Sequence, residues 1–185
     1  MFGLAARWKR NRPNRLEELA RAIEAIGDDD RRLLDESVRV ERLRQQGAGD
    51  LYEICRDFVD SLNGRLSTPA LTLDPPHYSN ESYSDRAPAL FQINLRGRLL
   101  QIEFQTTDEL SSTEDFRRPY VLYGTVRSFN RDFLAHDTVD EKALFYCMEG
   151  NPENRCARWH YFDSRTYASG ALTRDFLVGE MARLL

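Results

Sequence analysis

Two cysteines and a histidine lie close together in the stretch from Leu144 to Phe162, where they could hold a metal or exchange electrons. Eight residues separate Cys147 from Cys156, and His160 follows four residues later. A structural zinc site usually takes four ligands from tight pairs such as C-x2-C, and this loose pair does not supply them. Pairing the segment about its turn sequence EGNPEN instead sets Cys147 opposite Cys156. We expect a hairpin with two small buried residues and no metal or cofactor, with a redox-active cross-strand disulfide as the alternative.

A second candidate site is a polar sheet face. Period-two alternation in three predicted strands places a carboxylate, a phenol, two guanidiniums and an imidazole where they could converge: Glu103, Tyr123, Arg127, Arg158 and His160. A carboxylate beside a histidine could perform acid–base chemistry, and paired arginines could hold a carboxylate or phosphate. The alternative is a solvated sheet face with Glu–Arg pairs.

The third candidate is a basic arm at residues 1–15. Its cations interleave with an indole: Arg7, Trp8, Lys9, Arg10 and Arg12. Such a segment could contact nucleic-acid phosphates and stack on a base, or lie on an anionic membrane surface. Without these four cations and Arg15 the chain has 21 basic and 30 acidic residues, a net −9. That acidic body disfavours nucleic acid, so a solvated tail is the alternative.

Composition and motifs remove several function classes. The sequence lacks the P-loop, dinucleotide-binding, serine-hydrolase and zincin signatures. It has no apolar run long enough to cross a bilayer and no secretory signal pattern. An odd number of cysteines fits a reducing compartment, which predicts a cytoplasmic protein.

Helical spacing dominates the first third of the chain. Apolar residues predict one helix from about residue 14 to Gly27, a second to about 46, and a third over 50–63. Gly47 and Gly49 mark the expected break before the third helix, whose apolar stripe we expect to lie on a sheet. The predicted divisions are the arm 1–15, a helical extension 16–48 and an α+β domain 49–185.

From residue 70 the apolar period changes to two. The best hairpin signal places Gly97-Arg98 at the turn, so that three apolar pairs face each other: Leu95 with Leu100, Ile93 with Ile102, and Phe91 with Phe104. The loop 74–88 is long and polar, with His77, Tyr78 and Tyr83 as elements of a lid or partner surface, or of a mobile connection. A helix over 173–184 closes the chain, with Thr173 as its N-cap.

These elements predict an α+β fold. An antiparallel sheet of five or six strands is packed by the helices 50–63 and 173–184, and the hairpin 144–162 is apolar on parts of both faces. The leading functional hypothesis is a non-enzymatic module that binds a protein partner or forms a homodimer. A small-ligand protein or enzyme using Glu103, Arg127, Arg158 and His160 is the second hypothesis, and nucleic-acid contact through the arm is the third.

Overall fold

A single helix makes up the first third of the described chain. The computed structural model describes residues 15–79, 82–84, 87–111, 119–130, 139–149 and 156–185, so the basic arm lies outside the described residues. Helix α1 spans Arg15–Asn63. The chain divides into two compact units between Glu41 and Arg42, whereas the sequence suggested a boundary after residue 48. The prediction of three separate helices is therefore wrong.

Helix α1 continues through both expected breaks because a glycine weakens a helix without ending it. Glycine costs only about 1 kcal/mol relative to alanine inside a helix. At Gly47 the missing side chain is also needed, since an added Cβ would lie 2.7 Å from the ring of Tyr146. Glycine at 47 is therefore a close-packing residue and not a stop signal.

Seven antiparallel strands form one sheet in chain order, against the five or six expected. They are β1 (Leu71–Asp74), β2 (Ala89–Leu95), β3 (Arg98–Ser111), β4 (Tyr120–Asn130), β5 (Asp140–Glu149), β6 (Cys156–Asp163) and β7 (Ala168–Ala171). The sequence analysis predicted no strand at the position of β7, whose four small residues directly precede the predicted closing helix 173–184. Helix α2 spans Arg174–Ala182, and Thr173 caps it by accepting a bond from Phe176 N.

The β2–β3 hairpin turns at Arg96-Gly97, one residue earlier than predicted. Both residues have positive φ (50° and 90°), as a tight two-residue hairpin turn requires. The predicted register is wrong by two residues, since Ile93 pairs with Leu100 and Phe91 with Ile102. A shift of two keeps every side chain on its face, so the predicted separation of apolar and polar faces survives.

The β5–β6 hairpin differs from its prediction in the same way. Cys147 pairs with Arg158, and Cys156 pairs with Glu149, so the two cysteines are not direct cross-strand neighbours. Cys147 is buried, Cys156 is exposed, and both are free thiols. The expected pairing of Cys147 with Cys156 is wrong. Alternation along a strand decides the face of each residue, but it does not decide where the turn lies.

The core lies between one face of the sheet and two helical segments. Residues 48–59 of α1 and the buried side chains of α2 cover this face, as expected for the helices 50–63 and 173–184. Aromatic rings run across it in contact, from Tyr52 through Phe91 and Phe104 to Trp159, with centroids 5.2–5.8 Å apart. The end of α1 is tied to β1 by Asn63, whose amide bonds the backbone of Ala70 and Leu71.

The opposite, outer face of the sheet is partly apolar. Tyr120, Phe145 and Cys147 form a small buried cluster there, with Ala143 and Phe162 packed against it. This agrees with the expectation that the hairpin from Leu144 is apolar on parts of both faces.

Candidate functional site

Glu103, Arg127 and Glu141 form a charged row across three strands on the outer face. Arg127 Nε donates to Glu141 Oε2 at 2.6 Å, and Arg127 Nη1 donates to Glu103 Oε2 at 3.3 Å. The hydrogen bond that Arg127 donates to Glu141 is the main cause that raises the pKa of Arg127. All three side chains are 40–50% exposed, so this is a solvated network whose guanidinium already serves two carboxylates.

Tyr123 lines a small depression beside this row. The depression has a volume of about 180 Å³, and Glu103, Thr125 and Arg127 complete its polar wall. Small-molecule sites usually enclose roughly 300–1,000 Å³. Glu103, Tyr123 and Arg127 therefore come together, but around a space smaller than a typical ligand pocket.

His160 and Arg158 lie on the outer face at a distance from that row. His160 pairs with Phe145, which in turn pairs with Tyr123. The backbone positions of His160 and Tyr123 are therefore two strand spacings apart, at about 4.8 Å per spacing. The apolar cluster around Phe145 stands between them. The five predicted residues therefore divide into two groups, and the carboxylate of Glu103 is not brought beside the imidazole.

A larger cleft that sequence reasoning missed lies on the helix-covered face, and Arg158 borders it through its main chain, because its side chain points to the outer face. The cleft has a volume of about 550 Å³ and lies between residues 50–54 of α1, residues 157–159 of β6 and the start of α2. Asp50, Glu53 and Arg174 give it both signs of charge, and Asp50 accepts a 2.8 Å bond from Tyr146. Burial is the first cause that raises the pKa of Tyr146, followed by this bond. No sequence spacing could have indicated a cleft whose walls come from three distant segments.

A buried ion cluster joins β5 to α2. Lys142 Nζ lies 2.9 Å from Glu180 Oε2 and 2.6 Å from Asp140 Oδ2, and the side chains of Lys142 and Glu180 are each 3% exposed. Arg183 contacts both carboxylates, and Arg165 contacts Asp140. Every charge in the cluster has an opposite partner, which is the condition for burying ions at tolerable cost.

The described part of the 74–88 loop packs on the helix-covered face. Tyr78 contacts the rings of Tyr52 and Phe91, with centroids 5.5 and 5.1 Å apart, and Tyr52 donates to Pro76 O at 2.7 Å. Tyr78 thus lies away from the polar face that a lid would cover. His77 is exposed and Tyr83 is half-buried.

The N-terminal unit presents an apolar stripe to solvent. Large aliphatic side chains along residues 19–38 of α1 are 39–70% exposed: Leu19, Ile23, Ile26, Leu33, Leu34 and Val38. At 100° per residue these positions fall within an arc of roughly 140°, in which the polar residues Asp30 and Ser37 also lie. Isolated apolar residues are normal on a surface, but six large aliphatic side chains on one side of a helix indicate an interaction surface.

Similarity to known proteins does not identify a family for this chain. Among the described residues, no helix is long and apolar enough to cross a membrane, and no three histidine, cysteine or acidic side chains gather as metal ligands. The candidate contacts Arg7, Trp8, Lys9, Arg10 and Arg12 lie outside the described residues. No protein-family model, curated protein or solved structure matches this chain significantly.

Proposed function

We propose that this protein is a non-enzymatic interaction module that associates with another copy of itself through the apolar stripe of α1. The observation that carries the proposal is the exposure of that stripe, from Leu19 at 56% to Leu33 at 70%. Covering such side chains removes apolar surface from water at a gain of about 25 cal/mol per Å². Association with a second chain would bury these side chains.

Helix energetics support the same conclusion. Helical segments gain most of their stability from packing an amphipathic face, and short isolated helices are marginal in water. Residues 15–41 also contain Gly27, which lowers intrinsic helix stability. A partner surface along the stripe would provide the missing packing.

The charged residues of the sheet give weaker support to catalysis. Arg127 is engaged by Glu103 and Glu141, and His160 lies across the apolar cluster from Glu103. A general acid–base pair needs groups within hydrogen-bond reach of the same reacting atom. A cytoplasmic location is proposed together with the module, because three free thiols suit a reducing compartment.

Light scattering on the full chain tests this function. The mass should rise above that of one chain as concentration increases from the micromolar range, and Leu19→Gln with Ile26→Gln should hold the mass at one chain. Glutamine keeps a high helix propensity, so the loss would report the apolar face. The matched control is Arg21→Gln with Arg32→Gln, at positions of the opposite helix face, which should associate like the original chain. Equal masses for all three proteins would refute the proposal.

A second candidate function is binding of a small ligand that carries both charges. The cleft of about 550 Å³ favours it, because Arg174 lies there with Asp50 and Glu53. A thermal-shift screen with free amino acids should give stabilisation that Arg174→Gln removes and Arg127→Gln retains. If both variants keep the stabilisation, or if both lose it, the ligand does not bind in this cleft.

A further inference from the structure

An apolar groove lies between the end of α1 and α2. It has a volume of about 370 Å³ and contains the buried side chains of Phe58 and Met181. Val178, 48% exposed, forms part of its wall. Arg65 and Arg174 also line it, and both are exposed, so the groove has an apolar floor with guanidiniums at its edge.

We propose that this groove receives the apolar stripe of α1 from another copy of the chain. The proposal rests on the self-association proposed above and names its acceptor surface. It commits to one occupant because the charges around the stripe specify what the acceptor must be.

Carboxylates border the stripe on both sides. With 100° between successive residues, Glu17, Glu24 and Asp35 fall along one border, and Glu18, Asp29 and Glu36 fall along the other. The basic side chains Arg21, Arg32 and Arg39 fall at the back of the helix, away from the stripe. Arg15 and Arg31 fall at its two edges and Asp30 falls within it, so the carboxylates along the stripe outnumber the cations. An acceptor therefore needs an apolar floor with positive charge at its edge, which is the composition of the groove.

The same charges disfavour pairing of one stripe with another. Two identical helices packed face to face bring their acidic borders together in either orientation, and like charges across an interface are unfavourable. Ion pairs within the helix do not remove this effect. Arg32 and Arg39 approach Asp29 and Glu36 only at 3.7 and 3.9 Å, and all four side chains are more than half exposed.

The groove arginines are available to exchange partners. Arg174 contacts Asp57 at 3.3 Å, with exposures of 47% and 59%, which makes a weak surface pair. Arg65, just beyond the end of α1, donates to the carbonyl of Ser61 in the last turn of that helix and remains exposed. Either guanidinium can turn towards an incoming carboxylate at small cost.

Variants of the groove provide the first test. Val178→Glu should keep the light-scattering mass at one chain, because it places a carboxylate where the acidic borders would dock. Arg65→Glu, at an exposed position that the core does not use, should weaken association at least tenfold. Gly179→Gln is the control, since an added Cβ there meets no atom within 4 Å and the position does not line the groove.

Mixing two defective variants provides the decisive test. The stripe variant Leu19→Gln/Ile26→Gln keeps an intact groove, and the groove variant Val178→Glu keeps an intact stripe. An equimolar mixture should therefore restore one contact and give the mass of two chains, although each variant alone has the mass of one. The control is each variant alone, measured at the total protein concentration of the mixture.

The possible results separate the two proposals. If groove variants associate like the original chain while stripe variants do not, the acceptor proposal fails and the module function stands. If the mixture stays at the mass of one chain, the stripe does not dock in this groove. If stripe variants associate normally, both proposals fail together.

Discussion

Trp159 reaches across the core to the backbone of Gly47, where its indole Nε1 donates to the carbonyl oxygen at 2.6 Å. The contact joins β6 to α1 at the level where the side chain of Tyr146 fills the space beside Gly47. Two large aromatic residues therefore use the absence of a side chain at residue 47. This relationship explains why a glycine lies inside a long helix and leads to the first prediction.

Gly47→Ala should destabilise the fold by about 1–3 kcal/mol, the usual cost of overpacking a core. The added Cβ would lie 2.7–2.8 Å from Tyr146 and Leu122, which outweighs the higher helix propensity of alanine. Denaturant unfolding followed by tryptophan fluorescence measures the change. The control is Gly27→Ala, where nothing lies within 4 Å and helix content by circular dichroism should rise. Equal effects of the two substitutions would contradict the packing at Gly47.

Lys142→Met should lower the free energy of unfolding by about 3 kcal/mol, because the buried Glu180 would keep only the exposed guanidinium of Arg183 as a counter-ion. Adding Glu180→Met should recover much of that loss, since the buried carboxylate would be removed as well. Arg127→Met provides the surface comparison and should cost less than about 1 kcal/mol. Urea midpoints of the four proteins measure these differences. A double variant less stable than Lys142→Met alone would be inconsistent with the buried pair.

Tyr78→Phe should make stability less sensitive to alkaline pH. Burial raises the pKa of Tyr78 from 10.0 to about 12, so folding favours the neutral phenol. The resulting stability is complete below pH 10.0 and is lost as pH rises towards 12. The hydroxyl has no hydrogen-bond partner among the described residues, so phenylalanine should cost little at neutral pH. Unfolding free energies from pH 8 to 12 measure the slope, and Tyr167→Phe, at a 77% exposed side chain, is the control. An unchanged slope in Tyr78→Phe would contradict this burial.

The three thiols should react in a fixed order. Cys156 is exposed and should be labelled first in the native protein, whereas Cys55 and Cys147 are buried. Burial also raises the pKa of Cys55 to about 12, which leaves little reactive thiolate at neutral pH. Mass spectrometry after labelling should show one rapid modification and two more on unfolding. A native disulfide between Cys147 and Cys156 would contradict the observed register, in which diagonal neighbours lie about 7–8 Å apart.

Local sequence patterns determined the faces of the strands. Alternation placed Phe91, Ile93 and Ile102 on one side, and all three are buried in the core. It also placed Gln101 and Glu103 on the other side, where they are half-buried. The pattern succeeded because a strand points successive side chains to opposite faces whatever its partner is.

The register escaped prediction because the pattern repeats every two residues. A hairpin shifted by two retains the same faces, so sequence alternation gives both arrangements equal support. The structure selects Arg96-Gly97 as one turn and pairs Cys147 with Arg158 in the other hairpin. The same ambiguity kept the candidate site apart, because a shared face does not make His160 a neighbour of Glu103.

By itself the sequence determined an α+β chain with an antiparallel sheet and the helix stripe that covers it. These depend on residue type and spacing along one element. Only the tertiary structure decided that the helix runs unbroken through Gly47, that Lys142 is buried against Glu180, and that a groove edged by Arg65 and Arg174 exists. Each of these depends on contacts between segments far apart in the chain, whose energies no local pattern records.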